Sequence, residues 1–275
     1  MSRTATSFAF AVALAGVLAL SAPLSGQTQT AKPSPPKPAA AKPATRWVMP
    51  RTPDGKPDLA APVPRGEAGR PVLSGLWRPA PSLVGDITRG YSGGTVPYQP
   101  WAETLFKKRV ADFARDDPSA KCIMGGVPRA DFVPYPFKIF EVPGMVVILY
   151  EAIQGYRQIF TDGRQLPKDP NPAWMGYSVG RWEGDVFVVE SSGFNDDVWL
   201  DNMGRPATAA LRVTERFVRR NIGQMDIDIT IDDPKAYTQP WSVTQRLALQ
   251  PDAELIEYIC NENNRYFEIL PKVAN

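Results

Sequence analysis

Histidine does not occur anywhere in the 275 residues. That absence removes Ser-His-Asp and Cys-His catalysis, and every metal site built on imidazole. Cysteine is scarce as well. Cys122 and Cys260 are too few for a thiolate zinc centre. No dinucleotide fingerprint and no phosphate loop occurs. Lys and Arg number 31 against 29 Asp and Glu, and they are scattered. The basic patch that a nucleic-acid partner requires is therefore missing. No metal, cofactor or nucleic-acid partner is expected. Any acid or base must come from Asp, Glu, Lys, Tyr or Cys.

Two apparent motifs fall with the histidine or with their context. Gly90-Tyr91-Ser92-Gly93-Gly94 fits G-x-S-x-G, but a nucleophile elbow needs a strand, a helix and a histidine base. Ser34-Pro35-Pro36-Lys37 fits S-x-x-K, yet prolines prevent the helix that would hold Ser and Lys together.

Long apolar runs are missing too, with one exception. Arg3 precedes an apolar stretch from Phe8 to Leu20, and small residues follow. This is the layout of a secretory signal peptide, expected over residues 1–26. The run is shorter than the ~20 residues of a spanning helix, so no stable membrane span is expected after cleavage. Residues 27–45 are rich in Pro, Ala and Lys and read as an extended, disordered linker. The expected location is periplasmic or extracellular. That compartment favours a disulfide between Cys122 and Cys260 over two separate thiols.

Residues 46–275 are long enough for one sizeable core. Up to about residue 135 the chain is loop-rich, with Pro53-Asp54-Gly55 as turn chemistry and Ser74–Trp77 as a possible strand start. "QPWAETLFKKRVADFARDD" reads as a helix, with Pro100 at its first position and Glu103 at its positive end. Trp101/Leu105 and Phe106/Val110/Phe113 form the expected apolar stripe. From Pro136 the pattern changes to strands separated by turns. The expected strands are Phe137–Val142, Met145–Glu151, Tyr156–Thr161, Tyr177–Trp182, Val186–Ser191, Leu211–Val218, Met225–Ile231, Trp241–Leu249 and Leu255–Cys260. The expected fold is mainly β: an antiparallel meander of eight or nine strands, closed as a lipocalin-like barrel with one helix packed on it. A β-sandwich is the alternative.

Alternate residues of a strand share a face. Glu215 falls among Leu211, Val213 and Phe217, Glu190 with Val186 and Val188, and Gln245 with Trp241, Val243 and Leu247. A carboxylate on an apolar face is either a polar anchor in a pocket or half of an ion pair. Arg157, Arg181 and Arg212 are the candidate partners. Trp174, Tyr177, Trp182, Phe194 and Trp199 form an aromatic-rich rim that either stacks a flat or sugar-like ligand or plugs a barrel end. Asp226, Asp228 and Asp232 read as a solvated outer face.

The motifs carry two resemblances. "TPDGKPDL", "SGLW", "PYPFKIFEVPGMVVILYE", "GYSVGRWEGDVFVVESSGFND" and "IDDPKAYTQPW" resemble a family of exported bacterial proteins of unassigned function. That resemblance implies no activity and no catalytic residues. The chain departs from the family pattern by an insertion, "AAPVPRGEAGRPVL", after Leu59. Gly75-Leu76-Trp77 is similar to the G-x-W start of lipocalin and calycin barrels, which implies a barrel that binds small apolar ligands.

The leading expectation is a ligand-binding barrel for a small apolar or aromatic molecule. Its candidate contacts are Glu190, Glu215, Gln245, Trp174, Tyr177, Trp182 and Trp199. One alternative is a histidine-free enzyme (isomerase, cyclase or carbohydrate-active hydrolase) using paired carboxylates that face one cavity. Another is a cell-envelope interaction module with a protein partner the sequence does not identify.

Overall fold

Turn residues divide the second half of the chain into short β-branched and aromatic runs, and each run becomes a strand. A computed structural model describes residues 48–66, 68–81, 85–152 and 155–262, all within one compact unit, Val48–Asn275. The expected signal peptide and linker lie outside the described residues. The strands are β1 (Gly75–Pro79), β2 (Phe137–Val142), β3 (Met145–Tyr150), β4 (Tyr156–Phe160), β5 (Tyr177–Glu183), β6 (Val186–Ser192), β7 (Arg212–Arg219), β8 (Gln224–Asp232) and β9 (Trp241–Leu249). They close into a nine-stranded barrel in sequence order. Closure rules out the sandwich and meets the expectation of a lipocalin-like barrel.

Two features differ from an antiparallel meander. First, β4 and β5 run parallel, paired only at Ile159–Ser178 and Phe160–Val179. Residues 161–176 connect them with a long crossing segment instead of a hairpin turn. Pro167, Pro170 and Pro172 lie in it, and proline cannot donate to a ladder. Second, Leu255–Cys260 forms no strand. The edge it would need is taken, because β1 pairs with both β2 and β9. The segment is held instead by the Cys122–Cys260 disulfide, Cα atoms 5.6 Å apart.

One inward row of side chains can be followed round the wall. Trp77 pairs with Phe137, Ile139 with Ile148, Val146 with Ile159, Trp182 with Phe187, Phe187 with Phe217, Phe217 with Ile227, and Ile229 with Val243. Paired residues share a face, so these side chains converge in the lumen. All but Trp182, which packs against it, belong to a single hydrophobic core, and most of the lumen is filled. Gly180 takes part by being small: a Cβ there would lie 2.5 Å from the Phe187 ring and 2.8 Å from Ile159.

The helix α1 (Pro100–Ala111) forms as expected, with Pro100 in its first turn. Its buried face keeps Phe106 of the expected stripe and otherwise departs from it. Ala102 is buried, Phe106 stacks on Tyr98 at 5.5 Å, and the Arg109 guanidinium lies 4.2 Å from the Trp199 ring. Trp101 and Val110 are exposed, and Phe113 is 91% exposed. The helix docks through small and amphipathic groups on long loops, so an apolar count misplaces its face. The segment after Leu59 folds back on itself through an Arg65–Pro71 bridge and is tied to the β5–β6 turn by Arg65 and Asp185. Among the described residues no helix is long and apolar enough to cross a membrane.

Candidate ligand site at the barrel seam

Register decides what each glutamate does. Across β6 and β7, Val189 pairs with Glu215 while Glu190 pairs with Thr214. Glu215 therefore points into the lumen and Glu190 points out. Glu190 is half-exposed and forms an ion pair with Arg181 at 3.1 Å. Arg181 also meets Glu183, which continues to Arg216. Glu190 and Glu215 therefore do not form the carboxylate pair that the enzyme alternative needs. Both faces of β6 are apolar, and Val188 on the outer face is as buried as Phe187 on the inner. Pattern alone therefore gives Glu190 no side.

Inside the lumen Glu215 meets a different set of groups. Arg157 on β4 reaches it bidentately: Nη1 donates to Oε1 at 3.0 Å and Nη2 donates to Oε2. Two small hydroxyls span the strands between them. Arg157 Nε donates to Ser178 Oγ at 3.1 Å and Nη2 to Ser191 Oγ at 2.9 Å. The two serine oxygens are 2.8 Å apart. Arg157 and Glu215 are 1% and 0% exposed, so each charge persists only because the other is present. Burial works against the charged guanidinium, but Glu215 outweighs it and holds Arg157 above its ordinary value.

A single 3₁₀ turn, Arg129–Asp131, brings a second carboxyl to this cluster. Asp131 Oδ1 accepts from the Tyr150 hydroxyl at 3.0 Å, and its backbone carbonyl accepts from Gln245 Nε2 at 3.1 Å. Burial first, and then the Glu215 charge, push the Asp131 carboxyl well above the usual carboxylate range. Its Oδ2 is buried with no donor facing it. A proton on that oxygen turns the orphan into a donor beside the Glu215 charge that raises it. The lumen then holds one cation, one anion and one neutral acid. Burial and Asp131 raise the Tyr150 phenol well above its ordinary value as well.

The cluster meets the surface at two cavities. The first, about 460 Å³, lies where β4 and β5 stop pairing. Trp174, Tyr177, Phe160, Met124 and Met175 line it, with Arg157 and Ser178 of the lumen cluster. Its aromatic wall is held firmly. Tyr177 stacks on Phe160 at 5.2 Å, and Arg164 lies 3.9 Å from the Phe160 ring while donating to the Tyr177 hydroxyl at 3.0 Å. The second cavity, about 340 Å³, lies at the barrel mouth, between Tyr150, Arg129, Met124, Cys260 and the Tyr135–Tyr258 ring pair. Arg129 is bidentate to Asp117 and donates to Asn202. A third cavity, about 320 Å³, is shared by Trp174, Trp199 and charged groups of α1 and the following loop.

The expected site residues are thus dispersed. Trp174 and Tyr177 meet at the seam. Trp199 is buried beneath Arg109, and Phe194 is buried. Trp182 lies five residues farther along β5, against Phe187 and Arg70. Gln245 and Glu215 face the lumen, and Glu190 faces out. Asp226 pairs with Arg220, and Asp228 accepts from Thr244. Asp131, Tyr150, Ser178, Ser191 and Met124 were not singled out by sequence. Tyr150 alternates with Val146 and Ile148, and that alternation is the one signal that marks it as inward.

Comparison with protein-family models and with curated proteins finds no match for this chain.

Proposed function

We propose that this is an exported binding protein that takes a small, neutral, largely apolar or aromatic ligand at the seam between β4 and β5. The observation that carries the reading is the 460 Å³ cavity in the gap of the barrel wall, walled by Trp174 and Tyr177 and floored by Arg157 and Ser178. Its volume falls in the range of small-molecule sites, and its lining follows their usual form: apolar and aromatic walls with a few polar groups. Neutrality of the ligand follows from the charges. Among the described lining residues Arg157 is the charged one, and Glu215 already neutralises it. An anionic ligand would have to displace that buried carboxylate, which costs several kcal/mol.

The enzyme reading has less support. Asp131 and Glu215 are a carboxyl pair, but both are fully buried and neither lines any of the three cavities. We place no acid–base step on them. Export accords with the disulfide, and the family resemblance remains part of this proposal.

The test is titration with N-phenyl-1-naphthylamine, a neutral aromatic fluorophore, followed by its emission and by native mass spectrometry. One-to-one saturable binding is expected, weakened at least tenfold by Trp174→Ala. No saturable binding, or equal binding by the Trp174→Ala protein, would rule the reading out.

A further inference from the structure

Met124 belongs to both the seam cavity and the mouth cavity. It sits on the strap that follows Cys122, and the disulfide fixes one end of that strap. The other end is fixed at Gly126, whose carbonyl accepts from Ala130 N at 2.9 Å. Gly126 also packs so closely on the Trp174 carbonyl that no Cβ fits. Between these anchors the Met124 side chain reaches across to Gly155. A Cβ at Gly155 would overlap the Met124 sulfur, so the thioether rests directly on the glycine backbone. Methionine is unbranched, with three rotatable bonds. One such chain, rooted on the strap and packed at its tip on Gly155 and on the core, stands between the two spaces.

The two cavities match in charge. Arg129 in the mouth is neutralised by Asp117, as Arg157 in the seam is by Glu215. Both are walled mainly by apolar and aromatic groups: Trp174, Tyr177 and Phe160 in the seam, and Val133, Pro134 and three tyrosines in the mouth.

We propose that Met124 is the movable partition between these cavities, and that the ligand is an elongated neutral molecule with its flat aromatic end in the seam and an apolar chain that reaches into the mouth. This rests on the seam reading above and adds the length of the ligand. Met124 sets the length that is accepted, and Gly155 provides the seat it occupies when the mouth is closed off.

The experiment compares the wild-type protein with Met124→Ala and Met124→Trp. Bound N-phenyl-1-naphthylamine is displaced by neutral 4-alkylphenols, from 4-ethylphenol to 4-nonylphenol. Each methylene that finds apolar room should tighten binding roughly fourfold. In wild type and Met124→Ala that gain should continue along the series, and it should be steeper in Met124→Ala. In Met124→Trp it should stop once the chain meets the indole, while 4-ethylphenol binds as before. Circular dichroism checks that Met124→Trp is folded. If it is not, the wild-type to alanine difference decides alone. Saturable, Trp174-dependent probe binding with one chain-length profile for all folded proteins would overturn this inference and leave the seam site standing. No saturable probe binding would remove both.

Discussion

Glu190 and Glu215 stand on adjacent strands, one register step apart, and point to opposite sides of the barrel wall. Their energetic roles differ accordingly. Glu190 meets Arg181 in water, where such pairs contribute about 0–1 kcal/mol. Glu215 meets Arg157 buried in the lumen, where losing one partner leaves an uncompensated charge and costs roughly 3–5 kcal/mol. Urea unfolding should therefore show a loss in that range for Glu215→Gln and less than about 1 kcal/mol for Glu190→Gln. Equal losses would contradict the assignment of faces.

The raised Asp131 carboxyl predicts a pH dependence of stability. The native state keeps a proton that the unfolded chain releases above about pH 4. The stabilisation is complete below that point and declines as pH rises toward the native value, by up to about 1.4 kcal/mol per pH unit. Asp131→Asn keeps an acceptor for Tyr150 and supplies a permanent donor toward Glu215, with no proton to lose. Unfolding free energies between pH 4.5 and 7.5 should thus shift in favour of Asp131→Asn as pH rises. Parallel curves would show that Asp131 is ionised in the fold.

The disulfide joins residues 138 apart in sequence. The loop-entropy argument gives it at most about 5 kcal/mol. Cys260→Ser should lower the urea midpoint, and a reductant should do the same to the wild-type protein but not to the variant. A reductant effect on the variant would place the sensitivity elsewhere.

The barrel was legible in the sequence because turn residues bracket each run, and β2 and β9 have the bounds their patterns imply. The seam was not legible, since nothing in residues 161–176 states which end of the barrel the chain will reach. The site was half legible. Glu215 and Gln245 declare themselves as polar residues in clean alternations, and Arg157 and Arg181 stood among the candidate ion partners. Glu190 lies on a strand apolar on both faces, where only the register set by β7 decides. Asp131 and Met124 come from irregular backbone, which has no period to read. Their roles arise from the closing of the mouth over a finished barrel.

The count of strands has its own consequence. Neighbours in a ring can alternate in direction all the way round only when their number is even. With nine, at least one adjacent pair must run the same way, and here that pair is β4 with β5. Its crossing connection leaves only two registered positions, so the gap in the wall sits at the place where parity forbids a hairpin. Parity makes one parallel pair unavoidable in this barrel; the shortness of that pairing, two positions, is what opens the wall there.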